Sequence, residues 1–304
     1  MTLGISSSVY AAPSLLEWQK IMESTMTPGS GCYTANYPSV VWMPVSCDRY
    51  SNTVPRNHQN YDAQIVGSVY HINSAYGSFP SESNYVDEKD SIKGNGWYSL
   101  QLNTNNFSTS VAGKSVTGWE QFIYSNPDNT IETGEGAVFV QYWVIDVGTI
   151  FPNCVINSVQ WNSDGQGDCY INSSVTITGS TIDPSAIYQE SISAQPSTNQ
   201  DQATFCFNGT CNSATGPDYL GLGSGTRWAT EEFNVFGWGG GSEAEFNYDT
   251  STVMTLQVHD SVTAGVHSSV SCSLLKLLTG ESNNMNEGSC STTQFTITFS
   301  RPLA

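Results

Sequence analysis

Charged residues are scarce in this chain, and basic ones most of all. Asp, Glu, Lys and Arg make up 12% of the 304 residues, about half of the usual share in globular proteins. Of these, 27 are acidic and nine are basic, which gives a formal net charge of −18. Such a surface repels phosphate groups, so nucleic acids and anionic membrane surfaces are excluded as partners.

The sequence also lacks a long apolar run. No stretch approaches the roughly 18 consecutive apolar residues of a membrane-spanning helix. The apolar fraction of 38% and the aromatic fraction of 12% still suffice for a hydrophobic core. We therefore expect a soluble, acidic globular protein, and no feature of the sequence indicates more than a monomer.

The few bases are unevenly distributed. None lies between Lys114 and Arg227, whereas that stretch holds eleven acidic residues. Few ion pairs can then depend on ionised carboxylates, so protonation at low pH breaks few of them. The pattern is typical of a protein that works in acid. The alternative is a secreted protein that its acidic groups keep soluble.

Eight cysteines fall into four close pairs along the chain. No C-x-x-C, H-E-x-x-H or zinc-finger spacing accompanies them, and the four histidines are scattered, so we expect no metal and no organic cofactor. Pairing of neighbours is the simplest connectivity. The predicted disulfides are Cys32–Cys47, Cys154–Cys169, Cys206–Cys211 and Cys272–Cys290.

An even number of cysteines favours an oxidising compartment, and we expect a secreted, extracellular protein. Three N-x-S/T sequons, at Asn106, Asn172 and Asn208, are candidate glycosylation sites. Val9-Tyr10-Ala11 is similar to the end of a signal peptide, although no basic segment or long apolar run precedes it. Residues 1–28 are therefore predicted to be an N-terminal extension, either a signal remnant or a prosegment.

Apolar residues alternate with a period of two along most of the chain, which predicts β-strands. The one helical pattern covers residues 15–23. Polar, turn-rich loops separate the predicted strands and no helical crossover joins them, so the sequence predicts an all-β, antiparallel sandwich over residues 29–304. The strands are predicted at residues 40–45, 64–71, 98–102, 119–124, 137–146, 173–179, 254–258 and 294–300.

Two segments place polar side chains among aromatic ones. In the first, Glu120 and Gln121 follow Trp119, and the next predicted strand carries Gln141 and Trp143. Because Glu120 and Gln121 point to opposite faces of a strand, one of them meets the face that packs or binds. Either that group has a functional role, or the pair is a solvated acid beside a buried, hydrogen-bonded amide.

The second segment runs from Trp228 to Trp238 and holds the adjacent acids Glu231 and Glu232, ahead of a glycine run at residues 239–241. A carboxyl group in such an apolar setting has its pKa raised by desolvation, as a general acid or base requires. The alternative is an edge strand with solvated acids.

This second segment resembles the catalytic strand of the glutamic peptidases, the eqolisins and more distantly the neprosins. The resemblance comprises the run from Glu231 to Phe236, the glycine turn and the A-x-F strand at residues 244–246, with a G-S-G stretch at residues 223–225 upstream. It identifies Glu232 as the catalytic Glu. It also implies a concanavalin-like double sheet. Residues 31–38 and 280–284 resemble uncharacterised secreted microbial β-proteins.

The family's second catalytic group is a Gln or Glu on a strand that precedes an aromatic strand, and residues 119–124 occupy that place. In the family this group lies two residues before a glycine, whereas two residues before Gly118 stands Val116. Either the glycine register differs and Gln121 or Glu120 takes the role, or this chain lacks the second catalytic group. The resemblance implies an acid endopeptidase that acts on extended polypeptides, with Trp119, Gln141, Trp143, Trp228 and Trp238 available to line the substrate site.

Two other functions stay open at this stage. A retaining glycosidase on the same fold needs two carboxyl groups close together, which Glu232 with Glu120, or Glu243 with Glu245, could supply. A carbohydrate-binding or cell-surface module would instead stack its tryptophans on sugar rings. A Glu beside an amide favours the peptidase, two facing carboxyl groups favour the glycosidase, and a flat exposed aromatic row favours the binding module.

Overall fold

A computed structural model of the chain describes residues 32–34, 43–45, 61–64, 71–83, 86–127, 134–224, 226–248, 250–260, 279, 281–291 and 296–301. The chain divides into two compact units, Met1–Arg56 and Asn57–Ala304. In the first unit, β1 (Cys32–Thr34) pairs antiparallel with β2 (Met43–Val45). The helix predicted at residues 15–23 lies outside the described residues, and the boundary after residue 28 stays a prediction.

The second unit holds the other described strands. They are β3 (Tyr61–Gln64), β4 (Ile72–Ser83), β5 (Glu88–Asp90), β6 (Gly94–Asn95), β7 (Tyr98–Thr104), β8 (Phe107–Val111), β9 (Lys114–Asn126), β10 (Gly136–Ile145), β11 (Val155–Ile156), β12 (Val159–Gln160), β13 (Asn162–Ser163), β14 (Cys169–Asn172), β15 (Thr176–Gly179), β16 (Glu190–Pro196), β17 (Gln200–Phe207), β18 (Thr210–Pro217), β19 (Thr230–Gly237), β20 (Glu243–Phe246), β21 (Thr250–Asp260), β22 (Ser282–Asn283), β23 (Asn286–Ser291) and β24 (Thr296–Arg301). Two 3-10 helices cover Pro184–Gln189 and Leu222–Ser224.

Most of these strands belong to two large antiparallel sheets. The first sheet has nine strands in the order β13-β14-β10-β9-β7-β19-β3, with β15 added beside β10 and β8 beside β9. The second sheet has seven, in the order β18-β17-β16-β4-β21-β24-β23. A small four-stranded sheet, β22-β20-β5-β6, completes this part of the unit. The predicted all-β sandwich is therefore confirmed.

The hydrophobic core lies between the two large sheets. Tyr124 of the first sheet stacks on Phe205 of the second with 3.6 Å between the ring centroids. Phe233 of β19 packs at 5.3 Å against Phe79 of β4. Beside this pair, Gly77 leaves room for the Phe233 ring, since a Cβ at that position would lie 2.5 Å from it. Ring packing of this kind holds the two sheets together face to face.

The central strands of the first sheet are buried on both faces, unlike ordinary surface strands. All seven residues of β7 are buried, and so are seven of the eight residues of β19. On β7 the apolar residues Leu100 and Leu102 face the core, so Ser99, Gln101 and Asn103 lie on the other face. Buried polar side chains need hydrogen-bond partners, and this second face supplies them.

Two of the four predicted disulfides are confirmed. Cys154 is bonded to Cys169, and Cys206 to Cys211. The other two predicted pairs, Cys32–Cys47 and Cys272–Cys290, involve side chains outside the described part of the chain and stay predictions. Within that part, no helix is long and apolar enough to cross a membrane.

Peptide mapping without reduction tests the remaining cysteine pairs. We expect one peptide pair to join Cys32 to Cys47 and another to join Cys272 to Cys290, because each pair closes a short segment. A loop of about 15 residues stabilises the folded state by about 3 kcal/mol in the chain-entropy model. A peptide that links a cysteine of one pair to a cysteine of the other contradicts this connectivity.

Candidate active site

A row of polar side chains crosses five adjacent strands of the first sheet on the face away from the core. Glu232 of β19 pairs with Asn103 of β7, and Asn103 pairs with Gln121 of β9. Gln121 pairs with Gln141 of β10, which pairs with Asn172 of β14. Because paired residues point to the same face of a sheet, these five side chains lie side by side. We call them the polar row.

Hydrogen bonds that start at Trp143 run in one direction through three members of the row, from Gln121 to Asn103 to Glu232. The Trp143 indole Nε1 donates to Gln121 Oε1 at 3.0 Å, Gln121 Nε2 donates to Asn103 Oδ1 at 3.0 Å, and Asn103 Nδ2 donates to Glu232 Oε2 at 2.9 Å. Each donor is polarised by the bond that its own group accepts, so the bonds strengthen one another. This series of hydrogen bonds ends at the Glu232 carboxyl group, which accepts most strongly when it is ionised.

A second set of polar groups fixes the amides in place. Gln101 Oε1 accepts from Asn103 Nδ2 at 3.2 Å and from Gln121 Nε2 at 2.9 Å. Gln101 Nε2 in turn donates to the Ser99 hydroxyl, which donates to the backbone carbonyl of Gly237. Both amide hydrogens of Asn103 are therefore used, one on Gln101 and one on Glu232. The orientation of the Asn103 amide toward Glu232 follows from these bonds.

Burial decreases along the row from Glu232 to Asn172. Glu232 and Asn103 have an exposed fraction of 0%, and Gln121 of 3%. Gln141 and Asn172 at the other end are half-buried, and Gln141 Nε2 donates to Asn172 Oδ1 at 2.8 Å. The carboxyl group of the row is thus held in a low-dielectric environment, where its interaction with Asn103 is stronger than in water.

Aromatic side chains form a parallel row beside the polar one. Trp119 pairs with Trp143, and Trp143 with Tyr170 of β14. The ring centroids are 5.9 Å apart in the first pair and 4.7 Å apart in the second, whose rings are stacked. Trp119 is buried, and the other two rings are half-buried. These rings offer an apolar wall next to the polar row, and Trp143 joins the two through its hydrogen bond to Gln121.

The neighbouring acids Glu120 and Glu231 lie on the opposite face, toward the core. Glu231 Oε2 accepts from the Trp228 indole at 2.7 Å, and Trp228 is fully buried and stacked on Phe122. Glu120 pairs with Tyr142, a core residue. The structure therefore does not bring Glu120 or Trp228 to Glu232, because alternate residues of a strand face opposite sides.

The other predicted residues lie away from the polar row. Trp238 follows β19, where its indole donates to the Pro127 carbonyl and its ring packs edge-on against Trp97. Glu243 and Glu245 occupy alternate positions of β20 in the small sheet. Of the sequons, Asn106 and Asn208 are exposed, whereas Asn172 is half-buried in the polar row; their glycosylation stays a prediction.

Asn103 and Gln101 are the site residues that the sequence reasoning missed. The signal was present in β7 as an alternation of polar and apolar residues, Ser99-Leu100-Gln101-Leu102-Asn103. The sequence predicts a strand here but assigns its side chains no role in the site. Its side chains meet Glu232 because β7 lies between β9 and β19 in the sheet, a pairing that sequence spacing does not reveal.

The described side chains of the row provide one ionisable group, Glu232, and an ordered amide beside it; on the other side of Glu232 the sheet places Asp62 of β3 as its paired residue. Glu232 can accept a proton from a water molecule, and the Asn103 amide can donate to an oxygen that becomes negatively charged. The polar row carries only one carboxyl group, since its other members are amides. The one cluster of acids with metal-ligand spacing in the described residues is Glu120, Asp201 and Asp218, on the core side.

Comparisons with known proteins leave the family of this chain undetermined. No protein-family model matches it, and no curated protein does. Among solved structures, scytalido-glutamic peptidase with a transition state analog inhibitor has a TM-score of 0.36 and 14% identity, covering 80% of this chain and 98% of that chain. The same peptidase with a peptide-based analog gives a TM-score of 0.34 and 13% identity.

A third similar structure is a β-porphyranase from the human gut bacterium Bacteroides plebeius, with a TM-score of 0.25 and 12% identity. It covers 57% of this chain and 55% of that chain. Likenesses at these TM-scores are distant, and they decide nothing about the chemistry of the site. The function has to be argued from the residues themselves.

Proposed function

We propose that this protein is an acid endopeptidase in which Glu232 activates a water molecule and Asn103 binds the oxyanion. The observation that supports this proposal is the 2.9 Å hydrogen bond from Asn103 Nδ2 to Glu232 Oε2. It joins a carboxyl group and an amide, the two kinds of group that water-mediated peptide hydrolysis needs when no metal takes part. The substrate class is an extended polypeptide.

In the first chemical step, the ionised Glu232 takes a proton from a water molecule as the water oxygen attacks the scissile carbonyl carbon. The carbonyl oxygen becomes an oxyanion, and the Asn103 N–H that bonds Glu232 Oε2 in the resting protein turns to it as Glu232 becomes protonated. In the second step, Glu232 returns the proton to the leaving amine and the peptide bond breaks. Removing one oxyanion donor from a site of this kind costs about 2.7–4 kcal/mol of transition-state stabilisation.

Gln121 has a positioning role in this scheme. Its amide donates to Asn103 Oδ1 and not to Glu232, so it orients the Asn103 side chain and polarises its N–H groups. Trp143 does the same for Gln121. Gln121, predicted from the sequence as the oxyanion donor, is therefore proposed to position Asn103, and Asn103 is proposed as the donor itself.

The geometry favours the peptidase over a glycosidase built on Glu232 and Glu120 and over a binding module. A glycosidase that uses Glu232 and Glu120 would need them to face each other, whereas they point to opposite faces of the first sheet. A binding module would need a flat, exposed aromatic row, but Trp119 is buried and Trp143 and Tyr170 are half-buried. An amide beside a carboxyl group is the arrangement that distinguishes a peptidase.

We also propose that the protein acts outside the cell and in acid. Two disulfides in the described part of the chain agree with an oxidising compartment. The excess of 27 acidic over nine basic residues means that acidification brings the net charge toward zero before it becomes positive. Self-repulsion therefore stays mild in acid.

The roles of Asn103 and Gln121 can be separated by their variants. We expect Asn103→Ala to lower kcat on a denatured protein substrate by about 100-fold, with KM little changed, since the lost contact forms in the transition state. Gln121→Ala should lower kcat less, because Asn103 keeps its bond from Nδ2 to Glu232. Gln121→Asn, which keeps both an acceptor and a donor, should retain more of the kcat than Gln121→Glu, which when ionised has acceptors only.

The assay covers about pH 2 to 7, the range in which a carboxyl base changes its ionisation. Glu232 and Asn103 have no exposed surface, so a substrate reaches them only if the part of the chain that covers them moves or is removed. Activity is therefore measured on the chain as made and again after incubation in acid. Asn212→Ala on β18, an amide of the second sheet, is the matched control and should leave kcat unchanged. Equal kcat values for Asn103→Ala and the parent contradict the proposed oxyanion donor.

A further inference from the structure

Three carboxyl groups meet in the interior between the two large sheets. Glu120 is on the core face of β9, Asp201 is on β17 of the second sheet, and Asp218 follows β18. One carboxylate oxygen from each of these residues lies within 4.8 Å of the other two. We call them the carboxylate cluster. It lies on the face of the first sheet opposite to the polar row.

The cluster contains buried oxygen atoms without a protein partner. Glu120 and Asp201 have an exposed fraction of 0%, and no oxygen of either carboxyl group accepts a hydrogen bond of good geometry among the described residues; the Tyr142 hydroxyl lies toward Asp201. Asp218 Oδ1 likewise accepts no such bond there. Buried polar atoms are nearly always satisfied in folded proteins, and a lone buried carboxylate is far more costly than a neutral group. Three of these oxygen atoms, one from each residue, meet at one place, where each needs either a proton or a ligand.

Tyr142 adds a further oxygen at the same place. Its hydroxyl faces Asp201 and Glu120, but it makes no hydrogen bond of good geometry within the described part of the chain. Tyr142 is fully buried, and its hydroxyl packs over Gly216, the residue that pairs with Asp201. A side chain outside the acidic group thus also points a hydroxyl oxygen into the cluster, toward Asp201.

The charge of the surroundings selects the kind of ligand. When all three carboxyl groups are ionised they carry three negative charges, and Arg227 is the positive group that acts on both Glu120 and Asp218. The Arg227 guanidinium is held nearby by the carbonyl groups of Leu220 and Gly221, at 3.1 and 2.6 Å. Two negative charges are left uncompensated. A divalent cation neutralises them.

We propose that Glu120, Asp201 and Asp218 bind a hard divalent cation of the Ca²⁺ type. The donors are all oxygen atoms, which favours Ca²⁺ or Mg²⁺ over the softer transition metals. Ligand oxygens on opposite sides of a Ca²⁺ ion are about 4.6–5.2 Å apart, and the oxygens of the cluster lie within 4.8 Å of one another. Asp218 is half-buried, so the ion and its remaining water ligands reach the site from that side.

Protons compete with the cation for the same oxygens. Because ligands must lose their protons to bind a metal ion, affinity rises with pH. The cation then links Glu120 of the first sheet to Asp201 of the second at neutral pH, and protons replace it in acid.

Thermal unfolding of the full chain tests the site directly. At about pH 7.5, millimolar Ca²⁺ should raise the Tm by at least about 3 °C over the value in EDTA, because the folded state alone binds the ion. At about pH 4 the difference should vanish, since the carboxyl groups are then protonated. Terbium(III) gives a second readout at neutral pH, through luminescence sensitised by Tyr142 and displaced by Ca²⁺.

Variants of the cluster locate the bound ion. Glu120→Gln and Asp218→Asn should each abolish the Ca²⁺-dependent rise in Tm and the terbium signal. Asp218→Asn lies at the edge of the cluster and alters no fully buried residue. In EDTA at neutral pH, Glu120→Gln should unfold at the parent Tm or above it, because this buried position disfavours a charged side chain and Gln is neutral. The matched control is Asp146→Asn, an exposed residue with φ of 55°, and it should retain the full response.

Two results would overturn the proposal. If Ca²⁺, Mg²⁺ and Mn²⁺ all leave the Tm unchanged at neutral pH and terbium gives no signal, the cluster holds protons and not a cation. If Glu120→Gln and Asp218→Asn both keep the response of the parent, the ion binds elsewhere on the acidic surface. Neither result depends on peptidase activity, so this test is independent of the function proposed for the polar row.

Discussion

Glu232→Gln is expected to lower the cleavage rate of a denatured protein substrate by at least about 100-fold. Gln has nearly the same shape as Glu and can still hydrogen-bond to Asn103, but it has no group that accepts a proton from the attacking water. A positioned acid or base contributes about 10²–10⁴-fold to a rate, and the estimate takes the lower end of that range. The measurement is the initial rate of product release across the acidic pH range.

Glu231→Gln is the matched control for this variant. It makes the same chemical change one residue away, but the Glu231 side chain faces the core and accepts a hydrogen bond from Trp228. We expect its rate to equal that of the parent, once both variants are shown to be folded by thermal unfolding. A loss of activity in both variants would indicate a general effect of charge removal on β19 and would argue against a catalytic role for Glu232.

Other results would favour a different function. If Glu232→Gln cleaves as fast as the parent, the peptidase mechanism proposed here is wrong. If the parent cleaves no protein between about pH 2 and 7 but binds or hydrolyses a polysaccharide, the glycosidase or the binding module becomes the better assignment. In either case the hydrogen bond from Asn103 to Glu232 has only a structural role, which is to satisfy a buried carboxyl group.

The fold was predictable because the strands repeat with a period of two and no helical crossover joins them. The strand predicted at residues 98–102 is found as Tyr98–Thr104, and that at 119–124 as Lys114–Asn126. The strand lengths were underestimated where polar residues occupy a buried face. Gln101 and Asn103 interrupt the apolar pattern of β7, yet they are buried because the second face of that strand is covered as well.

The candidate site was predictable only in part. Glu232 is distinguished in the sequence by its aromatic neighbours, but the pattern could not show whether Glu231 or Glu232 faces the site, since alternation fixes only that they differ. The partner of Glu232 comes from β7, and the motif comparison pointed to β9. Strand order is set by the packing of the whole sandwich, so no local spacing identifies Asn103.

The carboxylate cluster illustrates the same limit. Its members stand at positions 120, 201 and 218, and the sequence predicted no metal because it contains no short ligand motif. A site assembled by two sheets has ligands at unrelated spacings. The proposal of a cation site therefore runs against the sequence-based expectation, and it depends entirely on the three-dimensional arrangement of unpartnered oxygens.

Two buried carboxyl groups outside both sites make stability depend on pH. Burial raises the pKa of Glu88 to about 9, with a further contribution from the nearby acids Asp90, Asp87 and Glu245. Burial also raises the pKa of Glu190 to about 8, although a hydrogen bond at 2.5 Å from the Tyr98 hydroxyl opposes that rise. The usual value for a Glu side chain is 4.5. In the folded protein both groups hold a proton at neutral pH.

The protein should therefore be more stable at about pH 4.5 than at about pH 8. Between the unfolded pKa and the raised folded pKa, the folded state binds more protons than the unfolded state, so the free energy of unfolding falls as pH rises, by up to about 1.4 kcal/mol per pH unit for each group. The stabilisation is fully present below about pH 4.5 and is lost as pH rises through about 8 to 9. Urea unfolding in EDTA measures this as a falling midpoint.

Glu88→Gln and Glu190→Gln should each flatten the pH profile, because Gln keeps the neutral form at every pH. Glu135→Gln, in the loop before β10, is the matched control and should keep the slope of the parent.

With nine Lys and Arg and four His, the fully protonated chain carries only a modest positive charge, so we expect circular dichroism to show intact β-structure at about pH 3. A urea midpoint that rises from pH 5 to 8 would show that protonation of Glu88 and Glu190 does not stabilise the fold. Cooperative loss of β-structure between pH 5 and 3 would likewise contradict a fold adapted to acid.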